Sequence, residues 1–323
     1  MDPLSDVVAA MRVGDPHAAR VVHRAPFGVR FPPVDAAGFH VVLEGACWFY
    51  PAAGDPIALR PGDIVFLSGG HPHALADDPA TPLGSAATSL RGVEPTAVNR
   101  TPGPLGGVVL LCGAYLLDRS RTHPMFADLP ETIHLPAPTT RHTPTGTLVD
   151  LLDIELGREQ PGRDAMLRAL LDALLLNILR SWLDERADSG GAGGWAAALR
   201  DPAVAAALRA IHRRPGHGWT VAALADQVGL ARATFARRFT TLVGRTPIAY
   251  LTWWRMTLAA RQLRDTDEPL AAIARNIGYA NGFAFAHAFK NEFGCPPGKF
   301  RKEHQESRGD QSKRWNSIEP SRE

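Results

Sequence analysis

Two groups of side chains in this 323-residue sequence are of types that do chemistry. The first is cationic. Arg232, Arg237 and Arg238 fall in one short stretch, with Arg245 just beyond it. A guanidinium matches the O6 and N7 acceptors of guanine, so Arg232 and Arg237, spaced with Ala233 and Ala236 along one helix side, suit base edges. Arg238 and Arg245 are placed for phosphates. Fifty residues further on, Asn281, Phe283, His287, Lys290 and Asn291 occupy a similar stretch with less charge. There Phe283 and His287 are the side chains able to discriminate bases, Phe283 through a thymine methyl. Lys290 and Asn291, with Lys299, Arg301 and Lys302, are in reach of phosphates, and Asn281 also reads as a helix N-cap. The second group is metal-ligating: His40, Cys47, His73 and Cys112. Two imidazoles and two thiols, if the fold brings them together, would favour zinc. The alternative is that the cysteines are small buried hydrophobes and the histidines line a pocket or the surface.

The elements that must position the cationic group repeat themselves. Ala222 to Leu230 (AALADQVGL) and Ala271 to Tyr279 (AAIARNIGY) are the same pattern 49 residues apart. Each is a small-apolar helix ending in glycine and a large apolar residue. Each continues into a second helix with an aromatic stripe, Phe235 and Phe239 or Phe285, Phe289 and Phe293, and closes on Gly244 to Pro247 or Gly294 to Pro297. Helix, glycine turn, helix is a helix-turn-helix signature, and two copies predict a paired reader of double-stranded DNA. Thr220 is the expected cap of the first support helix, and Asp201-Pro202 opens a helix ahead of it. Ile248 to Leu263 reads as a long helix joining the two copies.

The N-terminal part has a different texture. Leu4, Val7, Val8 and Met11 have helical spacing and predict a lead-in helix packed on the body. From about Arg20, short β-rich runs (residues 39–43, 46–50, 56–59, 63–67 and 107–112) alternate with Pro, Gly and Asp, as in a sandwich or barrel. Residues 76–104 read as a long mobile loop. Residues 145–186 turn helical, with more apolar width than one intrachain face needs unless the helices are wholly buried on the strand-rich part. A glycine-rich run at 188–194 marks a linker, and the polar tail 305–323 reads as disordered. Charge divides along the same line: residues 201–323 carry 19 Lys+Arg and 11 Asp+Glu, a net of +8, while residues 1–200 carry 16 and 22, a net of −6. A basic C-terminal part beside an acidic N-terminal one predicts that only the former binds a polyanion. Three cysteines give no disulfide framework, and the absence of a signal peptide or long apolar span predicts a cytoplasmic protein with no membrane partner.

The C-terminal motifs resemble a known family. Arg255 to Leu263 (RMTLAARQL), Ile273 to Tyr279, Phe289 to Gly294 and Pro297 to Arg301 are similar to the signature of the AraC/XylS transcriptional regulators. The resemblance implies two helix-turn-helix modules in successive major-groove segments. Gly282 and Phe283 stand where that family commonly has polar residues. Over residues 20–136, Leu43-Glu-Gly45, Arg60-Pro-Gly-Asp63 and Gly69-Gly-His-Pro-His73 resemble the cupin domain at the front of such regulators. His73 stands where the second cupin motif places a metal histidine and His40 where the first begins, although Val42 replaces that motif's second histidine. The expected architecture is therefore multi-domain α+β. It comprises a cupin-like sensor (1–136), a helical dimerisation segment (137–187), a flexible linker (188–200), a DNA-binding domain (201–304) and a tail. The expected function is a non-enzymatic, sequence-specific transcriptional regulator, with a small-molecule effector or homodimerisation on the cupin side and RNA polymerase as partner if it activates. The competing readings are a metal-dependent cupin enzyme, such as a dioxygenase or isomerase, with a DNA-binding appendix, and an architectural DNA-binding protein with no effector.

Overall fold

The computed structural model describes residues 2–34, 36–84, 107–117, 123–140, 143–188 and 194–304, which divide into two units. The expected mixed, multi-domain α+β architecture is what is found. One unit, residues 12–118 and 128–186, is built on strands. Its elements are β1 (His17–Arg24), β2 (Gly28–Phe31), β3 (Ala37–Glu44), β4 (Cys47–Tyr50), β5 (Ile57–Leu59), β6 (Ile64–Leu67), β7 (His73–Ala76), β8 (Gly107–Tyr115) and β9 (Thr132–Leu135). They form two antiparallel sheets, ordered β1-β8-β3-β6-β9 and β2-β7-β4-β5. Alternation decides what fills the interior: Val42 on β3, Phe49 on β4, Val65 on β6, Leu75 on β7 and Leu110 on β8 share one buried cluster. Asp63, the end of the Pro-Gly-Asp turn, is buried because it has donors: its carboxylate accepts from the Arg60 amide at 3.0 Å and the Ala137 amide at 2.6 Å. The expected loop at 76–104 is ordered at its start, where Asp77 accepts from the Phe27 amide and the Thr81 hydroxyl. Residues 85–106 lie outside the described residues, as does the tail from residue 305.

The helices that follow α2 (Pro124–Ala127) and α3 (Ala137–Thr140) in this part of the chain are α4 (Pro144–Leu156) and α5 (Arg163–Asp188). The apolar width of α5 is mostly buried within the chain: Leu171, Leu174, Leu175, Ile178 and Leu179 are inaccessible, and the Tyr115 hydroxyl donates to the Leu171 carbonyl at 2.8 Å. What remains exposed is Leu151 and Ile154 on α4 and Met166 on α5. No helix among the described residues is long and apolar enough to cross a membrane.

The second unit is helical, and its boundaries differ from the expected ones. It holds α6 (Trp195–Arg200), α7 (Pro202–Arg213), α8 (Val221–Gln227), α9 (Arg232–Val243), α10 (Pro247–Asp265), α11 (Leu270–Asn276) and α12 (Gly282–Phe293). Residues 1–11 and 119–127 also group with it, so 1–136 does not fall in one unit. Nor is 188–200 wholly a linker: Trp195 is buried, and its helix packs beside α7 and α9. The lead-in helix α1 (Pro3–Met11) buries Leu4, Val7, Val8 and Met11 and packs against α7 and α10. Sequence periodicity shows that such a face exists but not which body covers it.

The join between α1, α2 and the C-terminal helices is an ordered chain of hydrogen bonds. The Met125 amide donates to His123 Nδ1 at 3.0 Å, so the proton of that ring is on Nε2, which donates to the Tyr250 hydroxyl at 3.3 Å. Tyr250 in turn donates to His212 Nε2 at 2.7 Å, and His212 Nδ1 donates to Asp6 at 3.3 Å. The His212 ring is stacked on Trp254, with centroids 4.0 Å apart, and the His123 ring meets Trp195 edge-on at 4.4 Å. Burial holds both imidazoles below the ordinary histidine value. For His123 the charges of His212 and Arg245 act in the same direction, whereas for His212 the Asp6 carboxylate opposes it. The unfolded chain takes up these protons near pH 6.5, roughly the free histidine value, and the folded unit does not. Stability is therefore full above that pH and is lost as pH falls below it. The urea midpoint followed by tryptophan fluorescence should drop between about pH 7.5 and about pH 5.5, and less steeply in His123→Leu. Identical slopes in the two proteins would show that His123 is not held neutral.

Candidate nucleic-acid interface and barrel donors

The two copies seen in the sequence are two copies in space. Gly229 and Gly278 both take the left-handed conformation, φ 69° and 87°, which lets the chain turn sharply between support and recognition helices. The same bond closes each turn: the Leu230 amide to the Ala225 carbonyl at 3.0 Å, and the Tyr279 amide to the Ala274 carbonyl at 2.8 Å. Caps stand where the sequence placed them. Thr220 accepts from the Ala223 amide, Asp201 from Ala203 and Val204, and Asn281 from Ala284. Phe235 and Phe239 in α9, and Phe285 and Phe289 in α12, are inaccessible and face the core.

Burying those stripes leaves the opposite faces open. Arg232, Ala233 and Arg237 on α9 are exposed and Ala236 half-buried. At the matching places on α12, Gly282, Phe283 and His287 are exposed and Ala286 half-buried. Phe283 is 91% exposed, by far the most open large apolar side chain of those described. His287 Nδ1 accepts from the Asn291 amide group at 3.2 Å, which leaves its Nε2–H pointing away as a donor. Lys290 is exposed one turn along. The sequence reading passed over Thr234 and Thr241, which are exposed on α9. The signal was present in the repeat, since Thr241 stands 50 residues before Asn291.

Two of the expected phosphate contacts already have partners within the chain, Arg238 while still exposed. Arg238 Nη2 and Nε both lie 2.5 Å from Asp201 Oδ2, pairing α9 with the cap of α7. Asp201 is 37 residues earlier, so no local pattern announces the pair. Arg245 is half-buried with its guanidinium 5.9 Å from the centre of the Trp253 ring, a cation–π contact that holds it against the core.

In the strand-built unit the expected donors are brought together in part. His40 on β3 pairs across the ladder with Cys112 on β8, and His73 approaches from the other sheet. His73 Nδ1 donates to the His71 carbonyl at 3.0 Å, leaving its Nε2 to accept from His40 Nε2–H at 2.8 Å. His40 Nδ1 then accepts from the Cys112 thiol at 3.0 Å. Phe31 stacks on the His73 ring, centroids 4.6 Å apart. Burial lowers the pKa of both imidazoles and, with Asp63 nearby, pushes the Cys47 thiol up to about 12; burial likewise raises that of Cys112. This is a neutral relay whose protons are all accounted for. It is not the expected zinc set. The two ring nitrogens of His40 point at different partners, so one ion could take only one of them. Two nitrogens on a tetrahedral zinc would also sit about 3.3 Å apart. Among the described residues no group of three or more His, Cys, Asp or Glu is arranged to hold a metal ion.

A cupin family model matches residues 2–184, and a helix-turn-helix domain model matches residues 224–303. A putative AraC-like transcription regulator of Streptomyces antibioticus is 34% identical over 304 residues, covering 94% of this chain and 99% of that one. The HTH-type transcriptional regulator AlkR of Acinetobacter baylyi is 28% identical over 309 residues, covering 94% of this chain and 100% of that one. The solved DNA-binding domain of AdpA, in complex with a target DNA, is 27% identical, covers 34% of this chain and 97% of that one, and has a TM-score of 0.32. With a cupin model across its first half and AraC-like relatives matched nearly end to end, the chain belongs to the AraC family of DNA-binding transcriptional regulators that carry an N-terminal cupin domain.

Proposed function

We propose that α9 and α12 read promoter DNA unequally, the first specifying sequence and the second mostly holding position. The observation that carries this is the contrast between two corresponding faces: Arg232 and Arg237 are exposed on one, Phe283 and His287 on the other. Arginine makes bidentate contacts with guanine, worth roughly 1–3 kcal/mol against a wrong base. A phenyl ring can only meet a thymine methyl, and Lys290 and Asn291 bring phosphate contacts that carry no sequence information. Arg238 and Arg245 contribute to phosphate binding in this reading only after leaving Asp201 and Trp253. A regulator of promoters works beside the chromosome, so we place the chain in the cytoplasm.

On the cupin side we infer a non-enzymatic sensor of a small effector. What supports this is a set of polar groups in an apolar interior, the Cys112–His40–His73 relay beside Phe31, which a ligand would engage by taking over one of its hydrogen bonds. Coupling requires only that the effector bind two arrangements of the chain with different affinity. We place self-association on Leu151, Ile154 and Met166, the apolar side chains that α4 and α5 leave exposed.

Arg237→Ala should cost about 1–3 kcal/mol on a duplex selected from a random pool and relax the preference at one base pair. Unchanged binding to both selected and random DNA would remove Arg237 from the interface. Phe283→Ala should leave the melting temperature unchanged, since the ring buries almost nothing, yet weaken DNA binding by roughly threefold or more. Equal affinities for the two proteins would leave Phe283 outside the contact. Met166→Asp should lower the sedimentation coefficient if copies associate there; an unchanged dimer would move the seam elsewhere.

A further inference from the structure

The two modules share a helix, but they also touch directly, and one side chain ties them where they touch. The loop at residues 214–219 leads into α8 of the first module. It is held in shape by its own bonds: the Trp219 indole donates to the Arg214 carbonyl at 3.0 Å, and the His217 amide donates to the same carbonyl at 3.1 Å. The turn at residues 277–281 leads into α12 of the second module. These segments meet at Gly216 and Gly278. A Cβ on Gly278 would lie 2.5 Å from the Gly216 carbonyl oxygen, and one on Gly216 would lie 2.9 Å from the Asn276 carbonyl oxygen. Only glycine fits on both sides, and Gly278 is also left-handed.

Arg255 projects from α10 into this seam. Its Nε donates to the Pro215 carbonyl at 2.7 Å and its Nη2 to the His217 carbonyl at 2.8 Å. Its guanidinium carbon lies 5.9 Å from the centre of the Tyr279 ring, and the Gly278 Cβ position would be 2.9 Å from its Nη2. One side chain thus holds the entry to the first support helix through two hydrogen bonds and the turn of the second module through its cation–π contact with Tyr279. The fork geometry makes this specific to arginine, because an ammonium can neither donate in that fixed pattern nor stack as a plane.

A helix that joins two modules fixes their separation well and their mutual twist less well, since any bend along its length is carried to the far end. A second attachment removes that freedom. Recognition helices bound on one face of a duplex must match groove segments about 34 Å apart, where a small angular error displaces every base contact. We propose that Arg255 is a positioning residue that sets the angle between the two recognition helices and thereby the operator spacing the protein accepts. This rests on the reading of α9 and α12 as paired DNA readers.

Two measurements separate this proposal from that reading. The first needs no DNA. Spin labels at Thr241→Cys and Asn291→Cys, in a Cys295→Ser background, report the distance between the exposed faces of α9 and α12. In Arg255→Gln the distance distribution should broaden or shift, with Arg255→Lys in between; distributions identical to that of the parent would overturn the proposal. The second uses a duplex selected from a random pool by the unmodified chain, together with versions carrying one extra base pair between the two protected segments and a version keeping only the segment bound by the first module. The unmodified chain should lose about tenfold or more on insertion, because simultaneous engagement is lost. Arg255→Gln should bind the selected duplex more weakly, lose less than about threefold on insertion, and bind the single segment as the unmodified chain does. Weakening by one common factor on all three duplexes would mean a general structural defect and would also overturn it. Failure of the unmodified chain to select any two-segment duplex would sink the paired-reader reading, while the label distances would still decide whether Arg255 ties the modules.

Discussion

Burial of α10 on nearly every side is the constraint on which the DNA-binding unit depends. Tyr250, Leu251, Trp253, Trp254, Met256, Ala259, Ala260 and Leu263 are all inaccessible or nearly so, spread around the helix instead of along one stripe. A helix apolar all round must be a core element, and here each sector has a different client. Tyr250 meets Phe239 of the first module, Met256 and Leu263 share a cluster with Phe285 and Phe289 of the second, and Tyr250 and Trp254 face the histidines that receive α1 and α2. Nineteen residues span about 28 Å, shorter than the roughly 34 Å of one duplex turn but long enough to hold the two modules well apart. A core helix cannot tilt without opening a cavity against several neighbours at once. The separation of the two reading faces is therefore set by hydrophobic packing, and the polar contacts of Arg255 act on what packing leaves loose.

Much of this unit was legible in the sequence because its signals are local. The glycine of each turn, the phenylalanines four apart, and Asp201, Thr220 and Asn281 before their helices each act within a few residues. The structure honours each of them. What escaped depends on partners far away in the chain. Arg238 reads as an open cation until Asp201 is seen beside it, and Arg245 until Trp253 lies under it. The same holds for α1: the spacing of Leu4, Val7, Val8 and Met11 announces a buried face, yet the body that buries it lies 200 residues on. The apolar width of α5 leaves open what covers it, because composition cannot tell intrachain from interchain burial.

The barrel shows the same limit at the level of single atoms. His40, His73 and Cys112 were singled out for residue type, and the fold does bring them within hydrogen-bond distance. Whether such a trio is a ligand set or a relay depends on where each lone pair points, and that follows from the ladder register. Because His40 pairs directly with Cys112 across β3 and β8, its Nδ1 is turned to the thiol and its Nε2 to the opposite sheet. Cys47, on β4, enters the same apolar cluster as an ordinary buried side chain whose thiol stays protonated. A shift of one residue in that register would have sent these groups to the outer face.

The chain passes between its two units four times, at residues 11/12, 118/119, 127/128 and 186/187. A regulator of two beads on a string could trade its sensor for another by a single genetic crossover in the glycine-rich run at 189–193. Here such an exchange would leave the C-terminal helices beside an α1 and an α2 that had not evolved with them, and the seats of Asp6 and His123 against His212 and Tyr250 would be filled by strangers. Recombination is thus constrained to move sensor and reader together or to replace three stretches at once. For the same reason a protease cut in that run would not by itself part the halves, since two peptide segments from the N-terminal fragment would remain built into the core of the other.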